Sequence, residues 1–179
     1  MTTRALSYVI DENDRLVQCD EGYYRFGEEN GWPEVGNSLG RSLWDYVAGS
    51  EPKKLQRLLL RRVRDGGLDI ELPFRCDGPG VRREMDLRIV ARPGGRLVLF
   101  SASLRAQRER EEAQPLLDPR APRGAEVIQM CAWCDRFEID GEWVEVEEAA
   151  RRLNLFGRSE LPALSHGICP TCNGLLLAA

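Results

Sequence analysis

Two Cys-x-x-Cys motifs in the last third of this 179-residue chain constrain its fold more than any other sequence feature. The first spans Cys131–Cys134 and the second spans Cys169–Cys172. Each such turn directs two thiolates at one point, and two turns complete a tetrahedron around a soft cation. The sequence therefore predicts one metal site, and its four ligands are Cys131, Cys134, Cys169 and Cys172.

The kind of metal follows from the donor set. Structural zinc is favoured, because four thiolates close the coordination sphere and leave no open position for catalysis. Iron or an iron–sulfur cluster uses the same ligands, so the spacing does not separate it from zinc. A thioredoxin-like dithiol needs a β-α-β setting, which we do not expect here. Two structural disulfides are the remaining alternative, and the expected cytoplasmic location disfavours them.

Three further residues bear on this chemistry. His166 is the only histidine and lies three residues before the second motif. We expect its ring beside the ligands, with its N–H bonded to a sulfur or a carbonyl oxygen; alternatively, it replaces one thiolate as a ligand. Cys19 and Cys76 lie outside both motifs, and we expect them to be buried free thiols that act as small hydrophobes.

The segment between the two motifs is longer than the roughly 15–20 residues of a usual zinc ribbon. It should therefore contain secondary structure of its own. We predict a strand that starts at Trp143–Val144 and a helix over Glu147–Leu153.

Composition excludes several function classes. Apolar residues make up 42% and charged residues 30%, which is typical of a soluble globular protein. The only lysines, Lys53 and Lys54, follow no glycine-rich loop, so no Walker-A phosphate site is present. The sequence shows no signal peptide and no span of about 20 apolar residues, which predicts a cytoplasmic protein without a membrane segment.

The charges are distributed unevenly. Residues 125–179 hold nine acidic and four basic side chains, whereas residues 1–104 hold sixteen of each. Nucleic-acid binding normally requires a basic face. We therefore expect no nucleic-acid partner.

The pattern of residues 5–104 predicts a mixture of helices and strands. Their order is two strands, short helices, one longer helix and three more strands. Strands at Leu6–Ile10 and Leu16–Cys19 form a hairpin. Ser50 is predicted to cap a helix that begins at Glu51, buries Leu55, Leu58, Leu59 and Val63 on one face and ends at Gly66-Gly67. Strands are then predicted over residues 68–76, 82–91 and 96–104.

This order of elements resembles a PAS domain. The resemblance covers residues 5–104 and rests on Tyr8–Asp11 with Arg15–Val17, on Gly40–Val47 before the helix, and on the closing hairpins. It implies an α+β fold with an antiparallel sheet and flanking helices, and a sensory or interaction role. The cysteine motif of flavin photosensors is absent and residues 1–104 contain no histidine, so we expect neither flavin nor haem.

The C-terminal part carries a second resemblance. Its two cysteine motifs, Gly141–Trp143, Glu147 and the run Ser165–Cys172 resemble the cysteine-rich segment that ends many bacterial PAS-containing sensor and regulator proteins. This resemblance covers residues 127–174 and implies signalling, but it names no ligand. The stretch Leu153–Leu164 has no counterpart in that family.

We accordingly predict three parts: a PAS-like sensory or interaction domain over residues 1–104, a charged linker over residues 105–124, and a zinc-binding module over residues 125–179. The linker is predicted to form a helix over Arg105–Pro115, followed by a proline-rich break.

The predicted function is non-enzymatic signal transduction, in which the PAS-like domain senses a ligand or binds a partner and the zinc tail supports the interaction. The partner is a protein or a second copy bound through the PAS-like domain, or an unidentified small ligand. One alternative is a thiol-based redox sensor that uses the metal-bound cysteines. A second is a metal-dependent enzyme with three protein ligands, a water, and Glu142 or Asp135 as the base.

Overall fold

The computed structural model describes residues 5–179, which form two β-sheets with helices packed against them. The first sheet has five antiparallel strands in the order β2-β1-β5-β4-β3. Its elements are β1 (Ala5–Ile10), β2 (Leu16–Cys19), α1 (Glu21–Glu29), α2 (Ser50–Gly66), β3 (Ile70–Arg75), β4 (Val81–Ala91) and β5 (Val98–Glu109). The predicted order of two strands, helices and three strands is confirmed, and it fits a PAS-like α+β fold. We call residues 5–109 the five-stranded module.

Helix α2 supplies the apolar face predicted for it. Leu55, Leu59 and Val63 are all buried, whereas the predicted Leu58 is only partly buried, and Gly67 ends the helix in the left-handed conformation. The predicted Ser50 cap is wrong, because Ser50 already lies in the first turn of the helix. The capping position belongs to Gly49, whose φ of 85° favours glycine.

The second sheet has four strands in the order β8-β7-β6-β9. Its elements are β6 (Arg123–Cys131), β7 (Phe137–Ile139), β8 (Glu142–Val144), α3 (Val146–Arg152), β9 (Leu161–Gly167) and α4 (Pro170–Ala178). Strands β6 and β9 are parallel, and α3 lies in the connection between them. The region therefore does contain a β-α-β arrangement, contrary to the sequence-based expectation. Sequence patterns over a few residues do not reveal this arrangement, because β6 and β9 are far apart in the chain and pair through a crossover connection.

The charged helix predicted over Arg105–Pro115 is wrong. Strand β5 continues to Glu109 and pairs with β4 as far as Val81. Its register with β4 satisfies the backbone groups of these residues and overrides their helical propensity.

The proline-rich stretch that follows is ordered by contacts with the second sheet. It forms a short 3₁₀ turn whose Leu116 is fully buried. The Arg123 guanidinium donates to the carbonyl oxygens of Leu116, Asp118 and Pro162. We call residues 115–179 the four-stranded module.

The two faces of the second sheet belong to different hydrophobic clusters. One face packs on α3 and includes Phe137, Val146 and Leu155. The other joins the cluster of the five-stranded module through its cysteines and through Ile168 and Leu176. The cysteine motifs therefore lie between the modules. No helix among residues 5–179 is long and apolar enough to cross a membrane.

Candidate metal centre

The first cysteine turn begins where β6 ends. The Cys131 N–H donates to the carbonyl oxygen of Arg136 at 2.7 Å, and the Asp135 N–H donates back to the Cys131 carbonyl at 3.0 Å. Asp135 has a φ of 56°, a left-handed conformation that aspartate tolerates better than most residues. This tight reversal places the thiols of Cys131 and Cys134 on the same side of the chain.

The second cysteine turn begins where β9 ends, beside the end of β6. Cys131 is the register partner of Gly167 in the parallel pair, so both cysteine turns start at one end of the sheet. Cys169 caps α4, and its sulfur accepts the N–H of Cys172 at 3.5 Å. Pro170 takes the first position of that helix, where no backbone donor is needed.

The four predicted ligand sulfurs converge. The sulfurs of Cys131, Cys134, Cys169 and Cys172 all lie within 4.8 Å of one another. The Cys134–Cys169 sulfur separation is 3.7 Å, close to the edge of about 3.8 Å expected for a tetrahedron with zinc–sulfur bonds of about 2.3 Å. All six cysteines are unbridged, so the disulfide alternative does not describe this structure. The donor set fits a soft tetrahedral cation.

The site favours charge on one of its sulfurs, that of Cys131. Hydrogen bonds from the Cys134 and Cys172 thiols lower the pKa of Cys131, and the backbone N–H of Cys169, 3.3 Å from its sulfur, adds to the effect. The same hydrogen bonds raise the pKa of Cys172, and they raise that of Cys134 to about 12. Without a cation the cluster thus holds protons between its sulfurs. A bound metal replaces those protons, since thiolates are the ligands.

His166 is not a member of this cluster. Its ring is half-buried and makes no hydrogen bond with any residue in the described part of the chain, so the expected bond to a sulfur or carbonyl is not made. His166 is instead one of the residues that line a cavity beside α2. Burial lowers its pKa, which favours the neutral imidazole.

Neither carboxylate considered as a catalytic base is free beside the sulfurs. Glu142 pairs with Arg152 at 2.7 Å on the surface. Asp135 is buried and accepts the backbone N–H of Asp77 at 2.8 Å, while burial raises its pKa to about 7.

The two remaining cysteines lie away from the cluster. Cys19 and Cys76 are unbridged and partly buried, and burial raises the pKa of Cys76 to about 12. A thiol with so high a pKa is a poor nucleophile at neutral pH.

Backbone hydrogen bonds connect the first cysteine turn to strand β3. The Arg75 N–H donates to the Trp133 carbonyl at 2.9 Å, and the Trp133 indole N–H donates to the Pro73 carbonyl at 2.7 Å. Strand β3 is an edge strand of its sheet, so the turn covers backbone groups that would otherwise lack partners. At the second turn, the Ile168 N–H donates to the Glu51 carboxylate on α2 at 3.1 Å. We call these contacts of β3 and the start of α2 with the cysteine turns the joint.

A buried ion network extends the joint. The Asp77 side chain is 0% exposed and contacts the guanidinium groups of Arg75 and Arg110. Arg75 also binds Glu145 at 2.6 Å, and Arg110 contacts Glu147. Both glutamates lie at the start of α3, so the network connects the two modules. Sequence reasoning missed these residues because Asp77 lies in an Asp-Gly-Pro-Gly stretch that reads only as a turn.

No protein-family model matches the chain, and the search of curated proteins found no match. Among solved structures, the chain is similar to a PAS domain of an HTR-like protein from Haloarcula marismortui, with 17% identity, a TM-score of 0.31, and coverage of 59% of this chain and 81% of that one. A PAS domain of the fruit-fly ELK potassium channel gives 14% identity, a TM-score of 0.34, and coverage of 57% and 85%. Because both TM-scores are low, the fold class rests on the strand order described above.

Proposed function

We propose that this protein is a non-enzymatic signal-transduction protein in which a PAS-like domain senses a ligand or binds a partner, and a zinc-supported tail is docked on that domain. The convergence of four cysteine sulfurs in the joint carries the proposal. A metal at this position holds together the two turns that contact β3 and α2. Metal binding is thereby coupled to the packing of the PAS-like sheet.

The donor set argues for a structural metal. Four thiolates complete a tetrahedral zinc site and leave no coordination position for water or substrate. Asp135 is engaged by the Asp77 backbone, and Glu142 by Arg152. A metal-dependent enzyme would need an open position with a free base beside it.

One observation favours a second candidate, a thiol redox sensor. Cys134 is the only one of the four that is not fully buried, and its sulfur lies 3.7 Å from that of Cys169. Oxidation of two thiolates to a disulfide would remove two ligands and release the metal. In this second candidate, the cysteine cluster senses oxidants, and no ligand is sensed by the PAS-like domain.

Metal analysis of the purified protein tests the proposal. We expect one zinc per chain, and Co²⁺ substitution should give the visible bands of a tetrahedral thiolate site. A sulfide-to-iron charge-transfer band in protein prepared without added metal would contradict the zinc assignment. Stoichiometric zinc release by mild peroxide, reversed by a thiol reductant, would favour the redox sensor.

A further inference from the structure

A cavity of about 420 Å³ lies between the two modules, next to the joint. Its walls come from both sides: Tyr46, Leu55 and Phe74 belong to the five-stranded module, whereas Trp133 and Ile168 belong to the four-stranded module. Clefts between packed units are common ligand sites. Any molecule held here contacts both modules at once.

The size and walls of the cavity select the kind of occupant. An apolar cavity of about 150 Å³ is enough for one benzene ring, so this cavity accommodates a molecule of one or two rings. Three of its lining residues, Tyr46, Phe74 and Trp133, are aromatic, and the Phe74 and Trp133 ring centroids are 6.1 Å apart. Aromatic walls favour a flat apolar molecule that stacks or packs edge-on.

The charged groups at the cavity already have ionic or hydrogen-bond partners. Arg75 contacts Asp77 and Glu145, and the Asp135 carboxylate accepts the Asp77 N–H. An anionic ligand would lose its hydration without gaining a free counter-charge, and a cationic ligand would face only the buried Asp135 carboxylate, which already accepts a backbone N–H. The occupant is therefore uncharged.

Polar side chains at the cavity remain available, among them Gln56 and His166. Neither the Gln56 amide nor the His166 imidazole makes a hydrogen bond within residues 5–179. A neutral imidazole offers one donor and one acceptor, and an amide offers both as well. A ligand with one hydroxyl or N–H group can form a hydrogen bond with the Gln56 amide or the His166 imidazole, neither of which has a hydrogen-bond partner within residues 5–179.

We propose that this cavity binds a small uncharged aromatic molecule with a single hydrogen-bonding group, of the phenol or indole type. The ring lies among the aromatic walls and the polar group bonds to His166 or Gln56. Such a ligand stabilises the docked arrangement of the two modules. The inference deepens the proposed function, because it places the sensed ligand at the joint rather than inside the PAS-like sheet.

Binding by the zinc-loaded full-length protein tests this directly. Phenol and indole should bind saturably in ligand-observed NMR, whereas benzoate and tyramine, which carry opposite charges, should bind at least about tenfold more weakly. Equal binding of benzoate, or no saturable binding of phenol and indole at millimolar concentrations, would overturn the proposal.

Two variants locate the site. Gln56→Trp fills the cavity and should weaken phenol binding by about tenfold or more, while Gln107→Trp, on the exposed part of β5, should leave it unchanged. His166→Phe should weaken phenol binding by about fivefold but leave toluene binding intact, because only the hydrogen bond is lost. Unchanged phenol affinity in both cavity variants would contradict the assignment.

Metal content separates this inference from the proposed function. Each sample is assayed for zinc before titration. Failure to bind by protein that retains one zinc per chain overturns the cavity assignment alone. Ligand binding by a protein that takes up no zinc overturns the metal proposal alone.

Discussion

The two modules are stabilised in different ways. The five-stranded module buries large side chains of its own between sheet and helices, such as Ile10, Leu59, Ile89 and Phe100. The separate cluster of the four-stranded module is smaller and includes two alanines of α3. Small cores of this kind commonly need a metal or a partner surface. Burial of apolar area can therefore hold the first module, whereas the second relies on the cysteine cluster and on docking.

The dependence between the modules is mutual. The four-stranded module needs the joint to cover its cysteine face, and strand β3 needs the turn over Cys131–Cys134 to cover its edge. Exposed edge strands are prone to pairing with other chains. The cysteine turns therefore cover an edge of the five-stranded sheet as well as their own backbone groups.

Removing the ligands should produce the largest contrast between the modules. Cys131→Ser with Cys169→Ser should abolish metal binding and unfold the four-stranded module, because zinc bound to thiolates contributes roughly 10 kcal/mol in small finger peptides. Metal content and near-ultraviolet circular dichroism measure the effect. Cys19→Ser, outside the cluster, is the matched control and should keep the metal. A double variant with native metal content would refute the ligand assignment.

Breaking the buried ion network should give the next largest effect. Asp77→Ala leaves the guanidinium groups of Arg75 and Arg110 without their shared carboxylate and should cost about 3–5 kcal/mol of unfolding free energy. Chemical denaturation measures it. Asp86→Ala removes one of the two carboxylate partners of the exposed Arg105, which keeps Glu84, and should cost no more than about 1 kcal/mol. Equal losses would mean that the network does not link the modules.

Crowding the contact between Gly49, just before α2, and His166 of β9 should have an intermediate effect. A Cβ at Gly49 would lie 2.3 Å from the carbonyl oxygen of His166, and the φ of 85° strains any other residue. Gly49→Ala should therefore cost about 1–3 kcal/mol and loosen β9 against α2. Gly67→Ala, with a φ of 61° but open space around it, should cost only about 1 kcal/mol. Thermal unfolding compares the two, and a larger loss at Gly67 would contradict the contact.

The smallest effect concerns acid sensitivity at Glu145. Burial raises the pKa of this carboxyl, but hydrogen bonds from Arg75 and Arg136 outweigh burial and hold the pKa below its usual value. The stability from this ionised group is present above about pH 4.3 and lost as the pH falls further. Denaturation of Glu145→Gln should show a deficit at pH 7 that shrinks in acid. Glu142→Gln, in a more exposed pair, should show a smaller deficit at pH 7. If the deficit of Glu145→Gln instead grew in acid, the folded-state pKa of Glu145 would be raised rather than lowered.

Much of the five-stranded module can be predicted from its sequence, because its elements carry local signals. The hairpin of β1 and β2 and the apolar face of α2 follow from periodicity and turn residues. The end of β5 does not, since three of its last five residues are charged and the segment is extended only because β4 pairs with it.

Only part of the candidate metal centre can be predicted from the sequence. Spacing alone identified the four cysteines, because two Cys-x-x-Cys turns leave few other arrangements. The parallel pairing of β6 with β9, the position of His166 and the partners of Asp77 depend on contacts distant in sequence. No local pattern encodes those contacts.

Amide hydrogen exchange of the full chain, with zinc bound and after its removal, shows whether a metal on the four cysteines holds the joint. We predict that zinc removal abolishes protection in β6, β9 and α4, and that protection also falls in β3 and in the first turn of α2. Strands β1, β4 and β5 should remain protected, because most of the buried side chains in their cluster belong to the five-stranded module itself. Unchanged protection of β3 and α2 after the four-stranded module unfolds would contradict the account and show that the two modules are independent.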